Sequence, residues 1–189
     1  MQTPIVPSVR VPSLETERLR FRGHFLDDFV SCALMWGDPK VTRHILERPL
    51  TKEEAWARFL RYVGHWAALG FGYWVIIEKQ TGDLIGEAGF ADYKRDLQPS
   101  LNGLPEIGCV LASRAHGKGF ATEAVRAIAA WGDAQFETPT ACIIAPENTA
   151  SLRVAAKCGY REATRTMYHG RQAVMFFRER GRATHSDSI

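Results

Sequence analysis

RAHGKGFATEAV, residues 114–125, places two glycines and three basic side chains directly before a helical pattern. Gly117 and Gly119 are separated by a single residue, and the basic residues around them are Arg114, His116 and Lys118. A glycine loses more backbone entropy on folding than other residues, so a pair in one short turn indicates a special backbone conformation. We therefore predict an anion bound on the backbone N–H groups of a helix N-terminus.

The sequence on both sides of this turn predicts a strand before it and a helix after it. EIGCVLA (residues 106–112) is short and apolar, as expected of a buried strand. Apolar residues then recur at helical spacing from about Ala121 to Phe136. The turn is not a P-loop, because Lys118 precedes Gly119, and it is not a dinucleotide fingerprint, because Thr122 replaces the third glycine.

Apolar periodicity and turn residues divide the rest of the chain into short strands and helices. One predicted helix spans TKEEAWARFLRYVGHWAAL (residues 51–69) and begins with Thr51 and Glu54, the spacing of a capping box. The predicted order is β–α–α–β–β–β–α–β–α–β–β, a mixed α/β (α+β) domain. The Pro-rich residues 1–13 are expected to form a flexible arm and the polar residues 181–189 a flexible tail.

The bulk composition excludes several classes of protein. The 189 residues carry a formal net charge of +3, with 46% hydrophobic and 24% charged residues, which is typical of one globular domain. This charge is too small to indicate nucleic-acid binding, and no apolar stretch is long enough to span a membrane. The four cysteines form no C-x-x-C pair, so neither zinc nor disulfides are predicted. Without a signal-peptide pattern, we expect a cytoplasmic protein.

Several blocks, in this order along nearly the whole chain, resemble the GNAT superfamily of acyl-CoA N-acyltransferases. Within it, they are most similar to the RimJ/RimL-type branch of protein N-terminal acetyltransferases. The blocks are LETERLRFR, GDP, GYWVI, LIGEAGF, EIGCVL, GKGFATEAV and ENTASLRVAAKCGY. The resemblance implies one domain over residues 14–180, with a central, mostly antiparallel twisted sheet of about seven strands and about four helices.

The resemblance also implies the acetyl-CoA site. The glycine turn would hold the pyrophosphate, a backbone N–H of the preceding strand would polarise the thioester carbonyl, and Asn148 would contact the pantetheine arm. The implied cofactor-binding residues are Cys109, Val110, Leu111, Arg114, His116, Gly117, Lys118, Gly119, Phe120, Ala121, Thr122, Asn148 and Ser151. No metal is expected.

Two residues are candidates for proton transfer. Ser151 follows Asn148 at the start of a predicted helix, where the resemblance implies a proton donor to the departing thiolate. Many relatives use a tyrosine four residues further on, and that position is Ala155 here. Glu106 opens the strand EIGCVL, at a place that resembles the general base of several branches. The alternatives for the base are Glu87, His44, His65 and His169, and either glutamate could instead be a solvated strand residue or pair with a nearby arginine. Asn148 could cap the helix as well as contact the cofactor, and an ordinary solvated Ser151 fits the sequence equally well.

The acceptor is expected to be a primary amine. An N-terminal α-amine has a pKa of about 8 and a lysine amine has one of about 10.4. A larger fraction of the α-amine is therefore neutral at pH 7, so its acetylation depends less on a general base, and the base is uncertain in this sequence. A small amine (amino acid, polyamine or aminoglycoside) is the alternative, and a non-catalytic acyl-CoA sensor is the alternative outside enzymes. The resemblance places WGDPKVTRHI (residues 36–45) and RTMYHGRQ (residues 165–172) along the acceptor cleft. Either a monomer or a homodimer is compatible with the sequence.

Overall fold

The computed structural model describes residues 9–46 and 48–181. The strands are β1 (Leu14–Glu15), β2 (Leu19–Arg22), β3 (Tyr73–Glu78), β4 (Leu84–Ala91), β5 (Glu106–Leu111), β6 (Thr140–Ile144), β7 (Arg161–Tyr168) and β8 (Arg171–Arg178). The helices are α1 (Phe29–Trp36), α2 (Pro39–Thr42), α3 (Lys52–Leu69), α4 (Phe120–Gln135) and α5 (Thr149–Lys157).

The eight strands form one sheet in the order β1-β2-β3-β4-β5-β6-β8-β7, and every neighbouring pair is antiparallel except β5 and β6. The predicted fold class is confirmed, with one strand and one helix more than expected. Strand β1 has only two residues, too few for a periodic pattern. Helix α2 has four residues, and its Asp38 cap and Pro39 resemble the end of the preceding helix in the sequence.

The capping box predicted at the start of α3 is present. Glu54 N donates to Thr51 Oγ1 over 3.2 Å, and Thr51 N donates to Glu54 Oε2 over 2.8 Å. These reciprocal bonds satisfy two backbone donors that the first turn of a helix leaves without intrahelical partners.

Helices cover both faces of the sheet. On one face, Phe90 of β4 packs with Ile128 of α4 in the largest apolar cluster. On the other face, Trp36 of α1, Tyr62 of α3 and Tyr73 of β3 share a second cluster. This second face, rich in aromatic side chains, borders the loop between α2 and α3.

The ends of the described chain lie against the core. Val9 and Val11 pack on the main cluster, and Trp74 Nε1 donates to Pro12 O over 2.7 Å. At the other end, Gly181 N donates to Asp133 Oδ1 over 3.0 Å. The remainder of the predicted arm and tail, residues 1–8 and 182–189, lies outside the described residues. None of the helices in the described ranges is both long and apolar enough to cross a membrane.

Candidate active site

Strands β5 and β6 diverge in the middle of the sheet. They are parallel, and their register consists of the single pair Glu106↔Ala141. Beyond this pair, towards Leu111 and Ile144, the two strands no longer bond to each other. Parallel neighbours end at the same edge of a sheet, so the N-termini of α4 and α5, which follow them, flank this gap. The gap is the natural place for a ligand that needs two helix N-termini.

The glycine turn connects β5 to α4 as the sequence predicts. Gly117 has φ of +76° and Gly119 has φ of +82°, a region that side chains with a Cβ rarely adopt. A Cβ on Gly117 would meet no atom within 4 Å, so backbone conformation and not lack of space requires glycine there. The turn is exposed, and its N–H groups are available to an anion that approaches the start of α4.

The side chains predicted around this turn have two different roles. Arg114 Nη2 donates to Leu84 O over 2.7 Å, and His116 Nε2 lies 2.9 Å from Leu111 O, so both brace the turn against the sheet. Lys118 is exposed beside the two glycines. Phe120 is buried, while Ala121 and Thr122 are half-buried in the first turn of α4. These last three residues therefore contribute through their backbone and not through charged side chains.

Arg18 of the N-terminal segment supports the turn, and sequence reasoning missed it. Its Nη1 donates to Lys118 O over 3.0 Å, its Nε lies 2.7 Å from Glu123 Oε2, and its guanidinium lies 4.5 Å from the centre of the Phe120 ring. Glu123 also accepts from Thr16 Oγ1 over 2.6 Å. Arg18 thereby neutralises a carboxylate in the first turn of α4, where it would otherwise repel a bound anion.

The backbone of β5 presents its donors alternately to β4 and to the gap. Ala112 N donates to Ile85 O over 2.8 Å, and antiparallel pairing repeats every second residue, so Val110 N also faces β4. Cys109 N and Leu111 N consequently face the gap. Cys109 is half-buried, and desolvation of its thiol raises the pKa to about 12, so the thiol is uncharged. Cys109 therefore offers its backbone N–H to a ligand in the gap.

Asn148 and Ser151 begin α5 on the other side of the gap. Asn148 is the N-cap residue, and its Oδ1 accepts from Ser151 N over 3.1 Å. Ser151 is half-buried, and its hydroxyl has no hydrogen-bond partner within the described part of the chain. Ala155, one turn further on, is 4% exposed and packs in the main cluster. The Ser151 hydroxyl is thus free to donate a proton to a group in the gap.

Glu106 is held by an arginine. Arg95 Nε lies 2.7 Å from Glu106 Oε2, and Arg95 Nη2 lies 2.8 Å from Oε1. This bidentate pair occupies both carboxylate oxygens and is largely shielded from solvent. The ion pair stabilises the ionised form of Glu106 and so makes it a weaker proton acceptor.

Glu87, the alternative base, is buried in a network of its own. It is 1% exposed; its Oε2 accepts from Trp36 Nε1 over 2.7 Å, and its Oε1 lies 2.7 Å from His24 Nε2. Cys32 completes the one group of three histidine, cysteine or acidic residues, among those described, whose ligand atoms lie within 4.8 Å of one another. Burial, together with Glu87, raises the pKa of the Cys32 thiol. A protonated thiol and an already bonded carboxylate are poor metal ligands.

The three candidate histidines lie in different surroundings. His65 is buried beside the ring of Tyr93, and burial lowers its pKa. His44 is half-buried after α2, and His169 is exposed in the β7–β8 turn with φ of +48°. In the described structure, none of these three rings forms an ion pair with a carboxylate, so none is activated as a base by such a partner.

A sheet that opens between two parallel strands, with a glycine turn at the start of one following helix, is the arrangement expected of an acyl-CoA-dependent acyltransferase fold. The family model for the "Acetyltransferase (GNAT) domain" matches residues 18–161, and the chain belongs to this family. The protein is accordingly an acetyl-transferring enzyme.

Two curated relatives cover most of the chain. The uncharacterized N-acetyltransferase p20 of Bacillus licheniformis is 29% identical over 152 residues, 79% of this chain and 83% of its own length. The uncharacterized protein YkkB of Bacillus subtilis is 31% identical over 152 residues, 77% of this chain and 83% of its own length. These relatives support the family and name no acceptor.

Solved structures share the fold. A provisionally assigned GnaT-family acetyltransferase of Bordetella pertussis superposes with a TM-score of 0.79 at 28% identity, covering 89% of this chain and 99% of that one. RimL, a ribosomal L7/L12 α-N-protein acetyltransferase in complex with coenzyme A, has a TM-score of 0.73 at 14% identity over 89% and 98% of the two chains. AAC(6')-Ib in complex with paromomycin and acetyl-CoA has a TM-score of 0.72 at 18% identity over 91% and 100%. At such identities the last two show the fold alone.

Proposed function

We propose that this protein is an acetyl-CoA-dependent N-acetyltransferase of the RimJ/RimL-like branch whose acceptor is the N-terminal α-amine of a protein or peptide. The observation that carries the proposal is the gap between β5 and β6, flanked by the glycine turn and by the Asn148 cap. Acetyl-CoA supplies the activated acetyl group, and the chain supplies binding, polarisation and proton transfer.

The residues of the gap fit a diphosphate and a thioester. The turn at Gly117 and Gly119 offers N–H groups at the positive end of the α4 dipole, with Lys118 adding positive potential. Further along the gap, Cys109 N is a donor for the thioester carbonyl oxygen, where negative charge develops during acyl transfer. The gap thus provides donors for both the diphosphate and the thioester of acetyl-CoA.

Proton transfer is assigned to Ser151, with a limited role for a protein base. The Ser151 hydroxyl, at the first turn of α5, is free to protonate the departing thiolate. Glu106 and Glu87 are both engaged by donors, so an acceptor that is already partly neutral suits this site. At pH 7 about a tenth of an α-amine is neutral, compared with well under a thousandth of a lysine amine.

Two other functions compete with this proposal. AAC(6')-Ib, a structural neighbour solved with aminoglycosides, favours a small amine as the acceptor. A protein that binds acyl-CoA without turnover would act as a sensor. The discriminating experiment incubates the enzyme with acetyl-CoA and a panel of N-terminal peptides, lysine-only peptides and small amines, and follows the free thiol of CoA. Rapid thiol release with α-amine peptides supports the proposal, and release only with aminoglycosides or polyamines contradicts it.

A further inference from the structure

The face of the sheet opposite α4 carries a cluster of tyrosines beside β5. A Cβ on Gly108 would overlap the Tyr73 hydroxyl, so this hydroxyl lies directly on the β5 backbone, next to Cys109. The Tyr73 ring stacks on Tyr62 with ring centres 4.1 Å apart, and Tyr93 Oη donates to Tyr73 Oη over 3.2 Å. The cluster therefore extends from the strand that polarises the thioester towards α3.

Three arginines surround these tyrosines. Arg58 Nη1 donates to Tyr62 Oη over 3.2 Å, and its guanidinium lies 4.1 Å from the centre of the Trp36 ring. Arg61 and Arg95 lie over Tyr93 at 5.5 Å and 4.5 Å from the ring centre. Arg58 and Arg61 also line an open pocket of about 330 Å³ together with Leu50, Glu54 and Ala57.

The described carboxylates near this pocket already have hydrogen-bond partners. Glu106 pairs with Arg95, and Glu54 accepts from Arg48 Nη1 and Nη2 over 2.8 Å and 2.6 Å. Over residues 9–46 and 48–181, neither Arg58 nor Arg61 has a carboxylate within ion-pair distance. Glu87 lies at the indole N–H of Trp36, bonded to that group and to His24. Among the described residues, Arg58 and Arg61 therefore line the pocket without a carboxylate partner.

The tyrosines cannot balance this charge. Burial raises the pKa of Tyr62 and Tyr73 well above the ordinary value, and it also raises that of Tyr93, so all three are neutral at physiological pH. Arg58 Nε is buried and has no hydrogen-bond acceptor in the described structure. The protein therefore does not satisfy every donor of the Arg58 guanidinium, and an anion is the acceptor that forms the strongest hydrogen bonds with such a group.

We infer that this pocket selects acceptor amines that carry an anionic group, which for a peptide means an acidic residue close behind the N-terminal α-amine. The inference rests on the proposed function, since the anion would place the amine near the thioester. Arg58 and Arg61 bind the carboxylate, and they repel acceptors with several ammonium groups. This charge pattern disfavours polyamines and aminoglycosides as acceptors.

The test compares peptides that differ only in the charge of the second residue. Three peptides with a common N-terminal serine and Asp, Asn or Lys in second place are assayed for kcat/KM by thiol release, beside glycine, glycinamide and spermidine. We expect the Asp peptide to exceed the Asn peptide by about tenfold, the effect of one charge-assisted hydrogen bond. A higher kcat/KM for glycine than for glycinamide would support the anion site, and it would indicate that free amino acids are the acceptors.

Variants then identify the residue responsible. Arg58→Met removes the guanidinium that lies over Trp36, keeps an unbranched side chain and should bring the Asp/Asn ratio close to one, while Arg58→Lys should restore part of it. The control is Arg20→Met. Arg20 is an exposed residue of β2 that pairs with Glu15 of β1, and its replacement should leave the Asp/Asn ratio unchanged. Equal rates for Asp and Asn peptides in the wild type, or an unchanged ratio in Arg58→Met, overturn the inference while turnover upholds the proposed function. Absence of turnover with every amine overturns the proposed function and this inference with it.

Discussion

Arg95 donates two parallel hydrogen bonds, 2.7 and 2.8 Å long, to the carboxylate of Glu106 at the start of β5. The pair lies among Tyr93 and Tyr168, whose ring centres are 4.5 and 4.9 Å from the Arg95 guanidinium. A carboxylate in this position neutralises an arginine that is largely shielded from solvent. Its first contribution is therefore to the structure around the start of β5.

Glu106→Gln tests this assignment. Because the variant leaves a poorly solvated guanidinium without its counter-charge, we expect the free energy of unfolding to fall by roughly 1–3 kcal/mol. We expect kcat to fall less than tenfold and the acid limb of the pH–rate profile to remain. Urea unfolding and steady-state kinetics measure both quantities. A fall in kcat of about 10²-fold or more, with the acid limb abolished and stability retained, would identify Glu106 as the general base instead.

Substitutions in the glycine turn should change the thermal stabilisation of the protein by acetyl-CoA. Replacing Gly117 and Gly119 with valine strains both positive φ angles and places side chains where a diphosphate must lie. The thermal stabilisation by acetyl-CoA, worth about 2.7 kcal/mol at a hundredfold excess over Kd, should vanish. Gly82→Val, at φ of +76° in the β3–β4 turn, is the matched control, because it introduces the same strain away from the site. A double variant that keeps the wild-type shift would refute the turn as the binding site.

Ser151 and Asn148 should differ in their kinetic effects. If Ser151 is the proposed proton donor, it acts mainly in the transition state, so kcat of Ser151→Ala should fall by about 10²-fold with little change in the KM for acetyl-CoA. Asn148→Ala removes a helix cap and the proposed cofactor contact, so KM should rise and stability should fall by about 1 kcal/mol. Kinetics at varied acetyl-CoA concentration separate the two cases. Full kcat in Ser151→Ala would show that water or solvent protonates the thiolate.

From the hydrogen bonds between Arg178 and Asp133 we predict how the free energy of unfolding depends on pH. Hydrogen bonds from Arg178, at 2.6 and 2.7 Å, lower the pKa of Asp133 below its ordinary value. A depressed folded-state pKa stabilises the protein above the unfolded value of about 3.9, and this contribution is lost as the pH falls through the lower folded value. Asp133→Asn should therefore cost about 1–3 kcal/mol at pH 7 and progressively less below about pH 4. Urea unfolding at pH 7, 5 and 3 measures this convergence.

Asp83→Asn is the control for that experiment, since Asp83 is exposed in the β3–β4 turn. It should leave stability unchanged throughout the range. A constant difference between wild type and Asp133→Asn down to pH 3 would contradict the linkage argument.

Acetyl transfer should persist when metals are removed. Attack of an amine on a thioester has no step that needs a metal ion, and the His24–Cys32–Glu87 group is engaged in hydrogen bonds. Dialysis against a chelator should leave kcat unchanged. Loss of activity that zinc restores in the wild type, but not in Cys32→Ala, would establish that buried group as a metal site.

Local features were predictable from the sequence, and long-range pairs were not. The positive φ angles of Gly117 and Gly119 and the box of Thr51 and Glu54 follow from neighbouring residues. The partner of Glu106 depends on how a loop folds back on the sheet, which residue spacing does not encode. One signal was available: a carboxylate at Glu123, in the first turn of a helix that binds an anion, calls for a neutralising partner.

That partner, Arg18, is 105 residues away from Glu123 in the chain. The glycine turn is consequently held by a residue between β1 and β2, 100 residues before Lys118, and a long loop must close before the turn is rigid. We therefore expect the glycine turn to become rigid late in folding, after β2 has paired with β3. A chain shortened past Arg18 would keep the glycines and lose the brace that holds them in shape.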